Sequence, residues 1–123
     1  KMFQGLRTVI YGAPDLAAAK AWYSDVLGFA PYFDEPFYVG YSVGGYELGL
    51  DPNSPAGTGK LSGTQAYWGV EKIETAFAGL LEKGATSLSG PQDVGDGIKV
   101  ALLSDPFGNV FGIIENPHFK LPE

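Results

Sequence analysis

The sequence contains no cysteine among its 123 residues. This absence excludes disulfides, thiolate zinc sites and cysteine nucleophiles, and it leaves the redox compartment unassigned. Basic residues are also few, since eight Lys and Arg stand against fourteen Asp and Glu, for a formal net charge of −6. Because nucleic-acid binding depends on clustered Lys and Arg that neutralise phosphates, we predict that the protein does not bind nucleic acid.

Long apolar segments are missing as well. No apolar run approaches the roughly 18 residues that a membrane-spanning helix needs, and the longest candidates, such as residues 100–103, suit a buried strand. The N-terminus lacks the basic region and apolar stretch of a secretory signal. We therefore expect a cytoplasmic protein with no membrane partner. The content of 45% hydrophobic and 18% charged residues is typical of a globular chain.

Aromatic residues are abundant, at 14% of the chain. The pairs Tyr32-Phe33 and Phe37-Tyr38, which are flanked by prolines, form a denser cluster than a small apolar core alone explains. This cluster is expected to line a pocket or a subunit contact.

The sequence of the first half predicts a strand, a helix and two or three further strands. Residues 6–13 have strand composition, and Asp15 is placed to cap a helix that Gly28 ends. The helix has one apolar stripe, formed by Leu16, Ala19, Tyr23, Val26 and Leu27. Residues 37–43 and 46–50 read as strands joined by a Gly-Gly turn.

The second half repeats this order after a Pro/Gly/Ser-rich linker at residues 52–63. Residues 65–70 predict a strand, residues 73–81 a helix that stops at Gly84, and residues 98–104 and 110–114 a final strand pair. A shift of 57 residues places Tyr11-Gly12 on Trp68-Gly69, and a shift of 65 places residues 46–52 on 111–117. We predict one α+β domain over residues 1–123, made of βαβββ units at about 5–52 and 64–117.

Several short motifs occur in order along nearly the whole chain. After the first strand they are Asp15-Leu16, Trp22-Tyr23 and Leu27-Gly28-Phe29, and before the last strand Asp105-Pro106-Phe107-Gly108-Asn109. Because of the duplicated unit and these motifs, the chain resembles the vicinal oxygen chelate superfamily, which includes glyoxalases, bleomycin-resistance proteins and ring-cleaving dioxygenases. The resemblance implies a cup-shaped mixed sheet with the helices outside, and a homodimer.

The resemblance also implies four metal-ligand positions, which fall on Thr8, Glu47, Gln65 and Gly112. Glycine has no side chain and a neutral threonine hydroxyl is a poor ligand for a divalent ion, so this ligand set is degenerate. The only histidine, His118, lies beyond the last predicted strand. We therefore predict no metal and no cofactor; the alternative is a weakly held divalent metal at Glu47 and Gln65.

Strand alternation predicts which side chains line the cup. The expected ligand-binding residues are Thr8, Ile10, Glu47, Gln65, Tyr67 and Gly112, and the glycines among the lining residues are expected to leave space. Glu47 is the candidate to receive a cationic group or to act as a general base. A competing interpretation has Glu47 exposed, or paired with Arg7 or a lysine, with no chemical role.

Two main functions follow from this interpretation. The first is a metal-free binding protein that holds a small amphiphilic organic molecule, as the drug-sequestering members of the superfamily do. The alternative is a metal-assisted lyase, isomerase or dioxygenase with Glu47 as base. A third possibility is an accessory domain that uses the fold as a scaffold.

Overall fold

Each half of the chain forms a four-stranded mixed sheet with one helix against it, in a computed structural model that describes residues 2–121. The chain divides into two compact units, Lys1–Thr58 and Gly59–Glu123. The division falls within the linker predicted at residues 52–63. None of the helices in the described part of the chain is long and apolar enough to cross a membrane.

The first unit contains β1 (Thr8–Gly12), α1 (Leu16–Leu27), β2 (Phe33–Glu35), β3 (Tyr38–Val43) and β4 (Tyr46–Asp51). Its strand order is β1-β4-β3-β2, with β1 parallel to β4 and the other neighbours antiparallel.

The second unit contains β5 (Tyr67–Gly69), α2 (Ile73–Glu82), β6 (Thr86–Gly95), β7 (Ile98–Ser104) and β8 (Val110–Glu115), in the equivalent order β5-β8-β7-β6. The α+β class and the two βαβββ units predicted from the sequence are confirmed.

The sequence left one strand of each unit unplaced, namely β2 and β6, which lie at the edges of the two sheets. β2 is only three residues long, too short for its alternation to be visible. β6 contains Gly90 and Pro91, and its pairing with β7 shifts register at three points. Proline and irregular pairing are tolerated there because β6 is an edge strand, but they hide its pattern. The strand predicted at residues 65–70 is also shorter than expected, since β5 begins at Tyr67 and excludes Gln65.

The core of the first unit lies between its sheet and α1. Leu48 and Leu50 of β4 are fully buried on this side, and Tyr11 of β1 packs its ring 5.9 Å from that of Tyr23 on α1. The hydroxyl of Tyr41, also fully buried, donates to Lys20 O and hydrogen-bonds Ser24 Oγ. As predicted, Asp15 caps α1, by accepting from Ala18 N at 3.1 Å, and Gly28 ends it at a φ of 82°. The opposite face of the sheet is free to carry the side chains that alternate with this core.

The start of α2 is capped from outside the helix. Lys72 at its N-cap gives no side-chain hydrogen bond, and Ile73 N donates instead to Glu115 Oε1 of β8 at 2.9 Å. This bond joins the helix to the sheet and satisfies one of the free amides of the first turn.

We predict that Glu115→Ala lowers the free energy of unfolding by about 1 kcal/mol, the usual cost of losing an N-cap. Glu82→Ala, at the exposed C-terminal end of α2, is the matched control and is expected to change it by less than about 0.5 kcal/mol. Urea unfolding measures both. Equal stability of the Glu115→Ala variant and the wild type would contradict the capping role.

Candidate functional site

The sheet face away from α1 in the first unit carries a row of polar side chains. Thr8 of β1 pairs with Glu47 of β4, and Glu47 pairs with Ser42 of β3. Because side chains alternate along strands, these three lie on the face opposite to Leu48. The predicted neighbours Thr8 and Glu47 are thus brought together. Ile10 lies one row further along, opposite Gly49.

An open cavity of about 370 Å³ lies over this row. It is lined by residues of β1, β3 and β4 and of the segments next to them, namely Arg7, Thr8, Tyr32, Ser42, Gly45, Tyr46 and Glu47. Ile10 is not among the lining residues, although half of it is exposed. Of the predicted ligand-binding residues of this unit, Thr8 and Glu47 therefore share the cavity and Ile10 stands outside it.

Two tyrosine hydroxyls hold the carboxylate of Glu47. Tyr38 Oη donates to Glu47 Oε2 at 2.6 Å, and Tyr32 Oη donates to Glu47 Oε1. Arg7 lines the same cavity, but its guanidinium donates to Leu6 O at 3.1 Å and to Gln4 Oε1 at 3.4 Å. The carboxylate is therefore fixed by phenols rather than by the guanidinium of Arg7.

From the sequence, the aromatic cluster around residues 32–38 was expected to line a pocket or a subunit contact, but it was not connected with Glu47. Tyr32 lies just before β2 and lines the cavity, and Tyr38 is the first residue of β3. Phe33 packs against Phe37 and Tyr38, with ring centroids 5.9 and 6.1 Å apart. The connection was missed because β2 was not predicted, and it is the pairing of β2 with β3 that brings Tyr32 within reach of Glu47.

Two of the sheet glycines, Gly49 and Gly112, do not leave empty space, contrary to the expectation from the sequence. A Cβ atom on Gly49 would overlap the hydroxyl and ring of Tyr38. In the second unit a Cβ atom on Gly112 would overlap the ring of Tyr67, its partner on β5. At these two positions the expectation was wrong because a tyrosine ring from the neighbouring strand lies across the glycine and fills the space, whereas Gly69 of β5 stays open.

Hydrogen bonding to the carboxylate changes the acidity of both phenols. The bond to Glu47 is the main cause that raises the pKa of Tyr32. Burial is the main cause that raises the pKa of Tyr38, and the bond to Glu47 and its negative charge add to the effect. Both phenols therefore keep their protons, and remain donors, beyond the pH at which an ordinary tyrosine ionises.

An alkaline titration of tyrosinate absorbance tests this arrangement. The bonds from Tyr32 and Tyr38 stabilise the fold fully below the unfolded tyrosine pKa of about 10, and this contribution is lost as the pH rises through the raised folded values. We expect Glu47→Gln to lower the pKa of both phenols. Tyr41, whose pKa is raised chiefly by burial, is the internal control and is expected not to respond.

Tyr→Phe replacements assign each titration step to its residue. If Tyr32 and Tyr38 ionise at the same pH with and without the Glu47 carboxylate, the hydrogen bonds described above do not form in solution.

The second unit places the remaining predicted residues differently from the expectation. Gly112 pairs with Tyr67 of β5, whereas the ligand set had matched it with Gln65, two residues earlier. Gln65 precedes the strand, is exposed, and accepts a hydrogen bond from Tyr67 Oη at 3.3 Å. The pairs Thr8–Glu47 and Tyr67–Gly112 show that the shift of 65 holds for the last strands (112 − 47), whereas the shift of the first strands is 59 (67 − 8) rather than 57.

The donor groups do not fit the divalent metal that the resemblance implies. Both oxygens of Glu47 accept phenol hydrogen bonds, Thr8 supplies only a neutral hydroxyl, and Gly112 supplies no side chain. Among residues 2–121, no group of three His, Cys, Asp or Glu side chains is arranged to hold a metal ion. His118 instead uses its ring Nε2 to hydrogen-bond Asp96 O at 2.8 Å, at the β6–β7 turn.

Comparison with known proteins gives a family match over most of the chain. The model of the Glyoxalase/Bleomycin resistance protein/Dioxygenase superfamily matches residues 5–113. A comparison with curated proteins finds no similar sequence.

Solved structures agree in fold. A glyoxalase-related enzyme from Fulvimarina pelagi is 21% identical with a TM-score of 0.76, and the match covers 98% of this chain and 94% of that one. A glyoxalase/bleomycin resistance protein/dioxygenase family enzyme from Burkholderia phytofirmans is 20% identical with a TM-score of 0.73, over 88% and 95%. A glyoxalase/bleomycin resistance protein from Albidiferax ferrireducens is 25% identical with a TM-score of 0.69, over 95% and 100%.

Proposed function

Since this chain belongs to the glyoxalase/bleomycin resistance protein/dioxygenase superfamily, we propose that it binds a small amphiphilic organic molecule and does so without a metal ion. The observation that carries the proposal is the Glu47 carboxylate, held by Tyr32 and Tyr38 beside the open cavity of the first unit. Pockets for organic ligands combine apolar walls with a few well-placed polar groups. A carboxylate held by the exposed Tyr32 and the half-buried Tyr38 meets that description.

The ligand's polar end is proposed to meet the row of Thr8, Glu47 and Ser42, where a carboxylate and two hydroxyls stand side by side. Its apolar part is proposed to contact the ring of Tyr32, which is 65% exposed. In the second unit Gln65, Tyr67 and Gly112 stay predicted ligand contacts.

Binding is favoured over catalysis by the state of Glu47. A general base needs a free oxygen within hydrogen-bonding reach of the proton that it removes. Here each oxygen already accepts a phenol hydrogen bond, which occupies two of the roughly four acceptor sites of the carboxylate, and a base must in addition take up a proton at one of the others. Sequestration of a ligand requires no such step.

The homodimer and the cytoplasmic location stay predictions. Light scattering tests the homodimer.

A thermal-shift screen of organic cations, anions and neutral amphiphiles, followed by isothermal titration of the hits, tests the proposal. We expect at least one hit whose affinity falls by about tenfold or more in Glu47→Ala, the loss of a charge-assisted contact. Glu35→Ala removes an exposed carboxylate of the same unit outside the cavity and is the matched control. It is expected to bind as the wild type does.

Two results would overturn the proposal. One is the absence of any hit that depends on Glu47. The other is a stoichiometric divalent ion in protein purified without chelator, which supports the metal-assisted enzyme instead.

A further inference from the structure

The cavity of the first unit also indicates the chemical class of its ligand. We propose that the polar end of the ligand is a protonated primary amine, whose nitrogen lies between the Glu47 carboxylate and the Ser42 hydroxyl and donates to both. This inference rests on the proposed function, because it names one end of the molecule that the cavity is proposed to hold.

The charges on this face of the sheet favour a cation. Because side chains alternate along a strand, β4 directs two partly buried carboxylates, Glu47 and Asp51, to the face away from α1. Among the described residues that line the cavity, Arg7 is the basic one. Arg7 is exposed, and its guanidinium donates to Leu6 O and Gln4 Oε1. A charge acts more strongly in partly buried surroundings than in water, so the field at Glu47 is negative.

The polar groups around the Glu47 carboxylate are left mainly with acceptor capacity. A carboxylate has about four acceptor sites, and the phenols of Tyr32 and Tyr38 fill two of them. The phenol protons are used in these bonds, and the raised pKa values of both tyrosines keep them bound. The unused acceptor sites of Glu47 and the lone pairs of the neighbouring Ser42 hydroxyl remain for donors of the ligand.

The strand pairing brings the Ser42 side chain close to that of Glu47. Ser42 of β3 pairs with Glu47 of β4 in an antiparallel ladder, and Glu47 N donates away from β3, to Arg7 O at 2.8 Å. Ser42 and Glu47 are therefore a pair without backbone hydrogen bonds, and the Cα atoms of such pairs lie about 4.5 Å apart instead of about 5.5 Å. Ser42 is exposed and lines the cavity. A nitrogen about 2.9 Å from each side-chain oxygen can bridge the two.

This pair of oxygens favours a primary ammonium group over related ligands. The ammonium group brings both the positive charge and the N–H donors, and its third N–H can stay hydrated because the cavity is open. A quaternary ammonium group has the charge without the donors, an alcohol has a donor without the charge, and a carboxylate is repelled. The alkyl chain of the amine can lie against the exposed ring of Tyr32 in the same cavity.

Three probes with the same alkyl chain separate charge from hydrogen bonding in the 123-residue protein. They are hexylammonium, hexyltrimethylammonium and hexanoate, compared at neutral pH. In an amide NMR titration we expect hexylammonium to shift the signals of Ser42 and Glu47. It is expected to bind about fivefold more tightly than the trimethyl compound, which lacks the N–H donors, and hexanoate is expected not to shift these signals. Binding of the trimethyl compound or of hexanoate that equals or exceeds that of hexylammonium would overturn the inference.

Variants of the two proposed contacts assign the hydrogen bonds. Glu47→Gln keeps the shape of the side chain without its charge and is expected to weaken hexylammonium binding about tenfold. Ser42→Ala is expected to weaken it about threefold, and to narrow the difference between hexylammonium and its trimethyl analogue. Ser87→Ala, at an exposed strand residue of the second unit, is the matched control and is expected to keep the affinity of the wild type. Hexylammonium binding that is unchanged in Glu47→Gln or in Ser42→Ala contradicts the inference.

The two proposals fail in different ways. If hexylammonium does not bind but another class of compound from the screen binds in a Glu47-dependent manner, the primary-amine inference is wrong and the binding function stands. If no compound binds through Glu47, both are wrong.

Discussion

Replacing Gly12 with alanine is expected to lower the free energy of unfolding by about 3 kcal/mol, at the upper end of the cost of overpacking. Gly12 ends β1, and a Cβ atom there would overlap the carbonyl oxygen of Pro55 and lie 2.8 Å from its carbonyl carbon. Backbone atoms cannot rotate aside as a side chain does, so the segment after β4 must move. Ala13 N, which donates to Asp51 O at 3.0 Å, is then strained as well.

The duplicated unit provides the control for this substitution. Gly69 ends β5 as Gly12 ends β1, and nothing lies within 4 Å of a Cβ atom built on it. Gly69→Ala is expected to be neutral, or to stabilise by about 0.5 kcal/mol, because alanine restricts the unfolded chain. Urea unfolding of the two variants gives the comparison. Equal costs at both positions would mean that the close approach of residues 54 and 55 to β1 does not persist in solution.

The second large effect is expected at Asp105, in the turn between β7 and β8. Its side chain is 3% exposed, and its Oδ1 accepts from Phe107 N at 2.9 Å and from Asn109 N at 2.8 Å. Its Oδ2 accepts from Asn109 Nδ2 at 3.1 Å. Asp105→Ala leaves these donors without their carboxylate, so we expect it to cost about 3 kcal/mol, as for the loss of several hydrogen bonds to a charged group.

Asp93→Ala is the matched control for Asp105→Ala. Asp93 accepts from Gly95 N at 2.7 Å in a turn of the same unit, but it is exposed and water replaces its bond. Its loss is expected to cost less than about 1 kcal/mol. Thermal unfolding followed by circular dichroism distinguishes the two. A small effect at both positions would show that the turn does not depend on the Asp105 carboxylate.

The fold could be predicted from the sequence to the extent that its signals are local and repeated. The helix caps at Asp15 and Gly28, the Gly-Gly turn and the Asp-Pro turn each depend on neighbouring residues, and their order along the chain identified the duplicated unit. β6 was not predicted because bulges interrupt its side-chain alternation, and these bulges become visible only in its pairing with β7.

The sequence predicted the site residues Thr8 and Glu47, which lie on neighbouring strands. It did not predict the tyrosines that contact Glu47. Thr8 and Glu47 follow from the position of motifs along two strands, and the pairing of β1 with β4 brings them together. Tyr32 and Tyr38 reach Glu47 across Gly40 and Gly49, and this contact depends on which strands are neighbours. Sequence spacing contains no information on strand order, so the partners of Glu47 and the filled glycine positions were missed.

The tyrosine that lies across Gly49 has a consequence for directed evolution of the cavity. Any side chain introduced at position 49 must displace the ring of Tyr38, and with it one of the two hydrogen bonds of Glu47. Positions 38 and 49 therefore behave as one mutational unit, and a library that randomises either alone samples mainly broken sites. A library that randomises both positions together, with smaller residues allowed at position 38, can reshape the cavity for a ligand of different shape.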